Sequence, residues 1–319
     1  MKKVKVALIG AGAMANNVHY PSLVQFPDVE LVGLCDLVEA KLKATAEKFR
    51  ISRTYTDYHH LLEETDPEAV YILMPPYQLF DIVIDCLERG LHVFIEKPPG
   101  ITREQTRQMA RLAEKKGCLT MTGFQRRFAP LVTRVREELH RRGPLHQCQV
   151  NFFKHMLGAP PYYRGAVDIL TCDAIHAVDL LRFLGGEVKK VASSVRSLYA
   201  DYDNSFNALL IFESGSVGFL STSWVSGKRI FSVEMHGKGI SAFVDPEKQA
   251  LIYQDNQEEG TLLQATEVAG STGIYKIGGF FAENRHFIDC LKEKQLPLTH
   301  FGDAVKTMEL VEAIYHHCL

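Results

Sequence analysis

Three groups of residues in this 319-residue chain have the types and spacing to do chemistry. The first is Gly10-Ala11-Gly12-Ala13-Met14-Ala15, which fits G-x-G-x-x-[GA] directly after the apolar run Val4 to Ile9. In such a loop the first glycine permits a tight turn, and the second lets backbone approach a pyrophosphate with no Cβ in the way. The third small residue lets helix and strand pack closely, while helix N–H groups face the negative charge. Asp36 closes the next apolar run about 20 residues beyond the loop, where a carboxylate can take ribose hydroxyls.

The second group is Glu96-Lys97-Pro98-Pro99, which follows the run His92 to Ile95 and brings Lys97 out at a strand end. The third is Asp173, His176 and Asp179, spaced i, i+3, i+6 on an expected helix and close enough to one face for mutual contact. Histidine titrates near neutrality and can give or take a proton at working pH. A lysine beside a cationic nicotinamide has its ammonium form disfavoured, which brings its titration into a useful range. Beside a bound dinucleotide such groups suit hydride transfer, in which the protein must remove the hydroxyl proton and orient the carbon.

The elements that must position them are legible as a rhythm. Strands are expected at Val4 to Ile9, Leu31 to Cys35, Ala69 to Leu73, His92 to Ile95 and Leu119 to Thr122. Helices are expected between them at Met14 to Phe26, Val38 to Phe49, Leu79 to Arg89 and Thr102 to Lys116. This alternation predicts an α/β domain, a Rossmann-type doubly wound parallel sheet, over residues 1–122. From Gln147 the rhythm changes to consecutive strands, with hairpin turns at Glu213-Ser214-Gly215 and Gly237-Lys238-Gly239. One helix, Asp173 to Leu184, interrupts them, and Phe280 to Lys292 and Gly302 to His316 close the chain as helices. Residues 123–319 are therefore expected to form an α+β substrate and oligomerisation domain with a large open, mostly antiparallel sheet.

Composition excludes several classes. A hydrophobic content of 46% and a charged content of 23% are those of a globular protein. The formal net charge of −2 gives no reason to expect nucleic acid or an anionic membrane as partner. The start, MKKVKVALIGAGAMA, imitates a signal peptide, but Lys5 interrupts a short apolar run that the sheet requires. No stretch reaches the roughly 18 apolar residues of a membrane span, and a cytoplasmic location is expected. The seven cysteines form no C-x-x-C pair and are expected to be reduced, buried small hydrophobes. The pairs His59-His60 and His316-His317 are adjacent and cannot share a face, so no metal site is expected.

The chain resembles the Gfo/Idh/MocA family, the glucose-fructose oxidoreductase and inositol dehydrogenase group, along its whole length. The resemblance is carried by GAGAMA, LVGLCD with Asp36, YILMPP, GLHVFIEKP with Lys97, GFQRRFAP, DAIHAVDLLRFLGG and FFAENRHFIDCL. It implies a Rossmann domain beside an α/β domain whose open sheet supports a homodimer or homotetramer. It also implies oxidation of a secondary alcohol on a sugar, inositol or related polyol, or the reverse reduction. Carried over by position, Lys97 would hydrogen-bond the reacting oxygen, His176 would transfer the proton and Asp173 would support it. Cofactor contacts would come from Gly10, Gly12, Ala13, Met14, Asp36, Met74, Pro75, Tyr77, Glu96, Lys97 and Gln125.

Three departures bear on the substrate. Cys172 stands where many relatives have the aspartate, with the carboxylate one residue later at Asp173. Met74-Pro75-Pro76-Tyr77-Gln78-Leu79 lacks the histidine of a T-P-N-x-x-H pattern, and GFQ replaces GFN at Gln125. Further substrate candidates are His155, Tyr162, Tyr163 and Arg164 in the loop ahead of His176, together with Asp179; a guanidinium suits a carboxylate or several hydroxyls. Asp36, with Leu37 and no adjacent Arg or Lys, favours NAD, with NADP kept open by Lys41 and Lys43. Two other classes share the cofactor loop: a non-catalytic dinucleotide-binding sensor, and an enzyme that uses redox transiently and recycles its NAD.

Overall fold

The first sheet of the computed structural model, which describes residues 2–159 and 162–317, is built from six parallel strands. These are β1 (Val4–Ile9), β2 (Val29–Cys35), β3 (Thr54–Tyr55), β4 (Ala69–Ile72), β5 (His92–Glu96) and β6 (Thr120–Gly123). Their order is β3-β2-β1-β4-β5-β6, so the direction of winding reverses between β1 and β4. The central strands are buried on both faces, which is why they read as nearly continuous apolar runs, broken in β1 only by the half-buried Lys5, instead of alternating ones. Ala7, Ile9, Val70, Ile72, Val93 and Ile95 pack with Leu61, Val83, Met109 and Phe301 into one core. Each such aliphatic side chain contributes about 1.5–3 kcal/mol by leaving water.

The helices end where their residues dictate. Thr102 caps Arg103–Lys116 by accepting from the Gln105 N–H at 3.2 Å, and Gly117 closes it in the left-handed region. The expected helix from Met14 to Phe26 is a π-helical stretch, Ala15–His19, running into a short α-helix, Tyr20–Leu23. The helix Tyr58–Thr65 and the short β3 have no counterpart in the pattern read from the sequence.

The second sheet has eight strands: β7 (Gln147–His155), β8 (Val188–Arg196), β9 (Ser205–Phe212), β10 (Val217–Ser223), β11 (Val225–Gly237), β12 (Ile240–Asp245), β13 (Gln249–Gln254) and β14 (Thr261–Gln264). In the order β14-β13-β12-β11-β7-β10-β9-β8 every pairing is antiparallel except β10 with β7. The helix Ile175–Gly185 packs on β7 and β10. It comes close enough that a Cβ on Gly185 would lie 2.1 Å from the Phe212 ring.

The chain divides into two compact units, and the division is not the contiguous one expected. Met1–Gly123 is joined by Phe280–Val305, while Phe124–Gly279 is joined by Lys306–Leu319. A single 123–319 domain is thereby corrected: residues 280–305 belong to the nucleotide unit. The reason is long-range pairing. The Thr122 N–H donates to the Thr299 carbonyl at 2.9 Å, and Arg285 and Lys292 both bond the buried Asp28. Six cysteines are free and buried, and Cys318 lies outside the described residues. No helix among the described residues is long and apolar enough to cross a membrane.

Candidate active site

In the nucleotide unit, β1 and β4 flank the reversal of winding, the place where parallel sheets bind ligands. The loop from Gly10 follows β1, and Met74, Pro75 and Tyr77 follow β4, so both sets of candidate residues meet that edge. Gly10 has φ +104°, and a Cβ there would lie 2.5 Å from the Leu73 carbonyl oxygen, so glycine is required. Nothing lies within 4 Å of the Cβ position of Gly12, which leaves its backbone open to a ligand. Ala13 and Met14 are exposed at the same turn.

The loop is pinned by residues that sequence reasoning did not single out. Asn16 donates to the Ala11 and Gly12 carbonyls at 3.0 and 3.1 Å, and the Tyr20 hydroxyl donates to the Gly10 carbonyl. Asp36, at the end of β2, accepts from the Ala11 N–H at 2.6 Å and from the Val38 N–H at 2.8 Å. It borders a cavity of about 590 Å³ whose lining includes Tyr58, Met74, Tyr77, Asp57 and Asp81 but no lysine or arginine. A dinucleotide fits this donor set: open backbone for the phosphates, a carboxylate for the ribose and an apolar slot beside it. Cys35 lines the slot as a thiol, because burial and then the Asp36 charge push its titration up to about 12.

Lys97 follows β5 at the same edge and is half-buried. Glu96, expected to touch cofactor, is turned inward. It accepts from His19 Nε2 at 2.7 Å and from the Lys97 N–H at 3.1 Å. His19 Nδ1 in turn lies 3.2 Å from the Asn284 amide nitrogen, so the ring bridges Glu96 and Asn284. Burial, and then the Glu96 charge, raise the Glu283 carboxyl well above its ordinary range. Glu283 is fully buried and has no hydrogen-bond partner for either oxygen among the described residues.

In the second unit, Asp173 is 7% and His176 9% exposed, three positions apart where π-helical Leu170–Ala174 passes into Ile175–Gly185. Asp173 Oδ2 contacts both the Lys154 ammonium and the Tyr162 hydroxyl. Asp179 does not join them. Its carboxylate is held by Arg127 and by the Thr307 hydroxyl at 2.8 Å, partners of a structural kind. Gln125 is buried, and its amide oxygen has no partner among the described residues.

His155 points outward, with Nδ1 3.0 Å from the Ser226 carbonyl, because successive strand residues face opposite sides. Its neighbour Lys154 shares the helix-facing side with Val150 and Phe152, a period-two signal present in the sequence. Tyr163 and Arg164 are exposed and sit at φ +50° and +58°, an unfavourable backbone for side-chain-bearing residues.

The Gfo/Idh/MocA model, an oxidoreductase family with an NAD-binding Rossmann fold, matches residues 4–124, and the model of the Gfo/Idh/MocA C-terminal domain matches residues 141–242. Fold and cofactor edge together define a two-unit, nicotinamide-dependent oxidoreductase. The chain belongs to the Gfo/Idh/MocA family. It is 27% identical to D-glucoside 3-dehydrogenase of Escherichia coli, over 98% of this chain and 94% of that protein. It is 26% identical to myo-inositol 2-dehydrogenase of Thermotoga maritima, over 88% and 83%. A dehydrogenase from Chromobacterium violaceum superposes with a TM-score of 0.89 at 21% identity, covering 99% of this chain and 95% of that one.

Proposed function

We propose that this enzyme transfers a hydride between NAD and a secondary alcohol or ketone of a sugar, inositol or related polyol. The observation that carries the reading is the burial of Asp173 and His176, a carboxylate and an imidazole three positions apart where the π-helical stretch passes into Ile175–Gly185. Titratable side chains gathered out of solvent at neighbouring positions are characteristic of reacting sites. Similarity to a glucoside and an inositol dehydrogenase supports the polyol class.

When bound, the nicotinamide accepts or returns the hydride of the carbinol carbon. Lys97 is proposed to hold the reacting oxygen by hydrogen bonding. His176 is proposed to take the hydroxyl proton in oxidation and return it in reduction. Asp173 acts beside it as a fixed anion. The preference for NAD over NADP rests on Asp36, Asp57 and Asp81 around the slot, which repel a 2′-phosphate with no Lys or Arg among the lining residues; Lys41 and Lys43 beyond it keep NADP open.

The outer face of the second sheet carries Phe219 opposite Leu209, with Phe243, Ile230 and Leu262 also exposed. We place a homo-oligomer contact there, and sedimentation of Phe219→Glu reads it: the assembly should dissociate.

The deciding experiment incubates the protein with NAD and a panel of inositols, glycosides and aldoses while following NADH absorbance. Turnover on a polyol is expected. Lys97→Ala and His176→Ala should each lower it by about 10²–10⁴-fold with NAD affinity preserved. Undiminished turnover in both variants overturns the assignment.

A further inference from the structure

Asp173 is not a bare carboxylate. The Lys154 ammonium and the Tyr162 phenol both meet its Oδ2, and the Trp224 indole N–H donates to the Tyr162 oxygen at 3.1 Å. Lys154 Nζ also stands 5.0 Å from the Phe152 ring centroid and 5.7 Å from that of Trp224. It is thus a cation confined between two aromatic faces and one carboxylate, with only 22% of its side chain exposed.

Two donors on one oxygen favour the ionised carboxylate, and a proton placed on Oδ2 would have to displace both. Asp173 is therefore poorly suited to accept the substrate's proton and well suited to remain a fixed negative charge. Tyr162 is the complementary case. Burial, and then the charge of Asp173, push its phenol well above the usual tyrosine range, so it stays a donor.

We propose that Lys154 and Tyr162 are positioning residues for the alcohol chemistry, holding Asp173 ionised and in a single orientation one turn from His176. The inference rests on the reading of His176 as the proton-transfer residue. It assigns Asp173 the role of orienting and charging the site, and leaves proton movement to the histidine. A reacting group displaced by about 1 Å costs on the order of a hundredfold in rate, which sets the scale of loss expected when the anchor goes.

The test uses the full-length protein with the polyol that gives turnover, and two readouts. Trp224 is the sole tryptophan, so its fluorescence reports the cluster whether or not catalysis occurs. Lys154→Met and Tyr162→Phe should each shift Trp224 emission and lower kcat by about tenfold to a hundredfold, with KM for NAD within about twofold. Lys154→Arg should recover most of the kcat, because it restores a cation to Asp173. In an Asp173→Asn background Lys154→Met should cost about twofold or less, since the interaction it breaks is already gone.

Wild-type kcat in Lys154→Met with a shifted Trp224 emission overturns the positioning role while leaving the cluster in place. Losses that add in full to those of Asp173→Asn overturn it as well. If His176→Ala retains full turnover, the underlying reading fails instead, and the fluorescence response still reports the cluster. That separates the two failures.

Discussion

Arg127 and Asp179 meet as two forks in the second unit, Nε to Oδ2 at 2.7 Å and Nη2 to Oδ1 at 2.5 Å, with both side chains almost wholly out of solvent. Asp179 lies on the helix that carries His176 and Arg127 in the short helix Gln125–Phe128, yet the neighbours of the pair are structural: Thr307 on the carboxylate, and the Phe124 and Phe183 rings near the guanidinium. Removing one member of such a pair strands the other's charge in the interior, at a cost of about 3–5 kcal/mol. Asp179→Ala should therefore lower the urea midpoint sharply. His176→Ala should leave the midpoint near wild type and remove turnover. The opposite pattern would return Asp179 to the reacting groups.

The two glycines of the cofactor loop should separate cleanly. A methyl on Gly10 collides with the Leu73 carbonyl on a backbone that already needs positive φ, so Gly10→Ala should lower Tm and solubility. A methyl on Gly12 meets no protein atom within 4 Å, so Gly12→Ala should fold with a Tm near wild type. It should nonetheless weaken NAD binding by about tenfold or more, because the Cβ occupies the approach of the pyrophosphate. Calorimetric titration of a folded Gly12→Ala with undiminished affinity would remove the loop from the cofactor site.

What was legible in the sequence was what is local. The loop at Gly10, Asp36 at a strand end and Lys97 after β5 are set by neighbours in sequence, and their strands read as apolar because both faces are covered. β8 escaped because Lys189, Lys190, Ser193 and Ser194 break up its apolar positions, and β14 because it is only four residues long; β13 did carry a signal in its apolar centre, Ala250 to Tyr253. The helix Pro130–His140 did carry a signal, Pro at its start and buried Leu131, Val132, Val135 and Leu139 at helical spacing. Lys154 was hidden by His155 beside it, although strand alternation from Phe152 points to the lysine. The return of Phe280–Val305 to the first unit depends on contacts such as His19 with Asn284 that no local pattern encodes.

Asp36 sets a cofactor preference that can be read directly. Asn at this position keeps an oxygen for the Ala11 N–H and removes the charge that repels a 2′-phosphate. A hydrogen bond to a charged group is worth about 1.5–3 kcal/mol, so Asp36→Asn should weaken NAD by about tenfold to a hundredfold. NADP should lose less, narrowing the ratio of the two dissociation constants. An unchanged ratio would mean that Asp57 and Asp81, not Asp36, carry the discrimination.

Glu283 gives the last prediction, in stability and not in turnover. Its carboxyl is fully buried without a partner among the described residues, and burial followed by the Glu96 charge raises its titration well above the ordinary 4.5. A folded-state value above the unfolded one means that the folded protein binds the extra proton. The associated stability is complete below about pH 4.5 and is lost as pH rises through the folded-state value. Glu283→Gln keeps the shape and removes the ionisation. It should match wild type more nearly in acid and gain on it steadily as pH rises above the unfolded carboxyl range, because an ionised Glu283 would oppose the core. Urea unfolding of both proteins across that range measures the difference; parallel curves would show that Glu283 keeps the same protonation in the folded and unfolded chain.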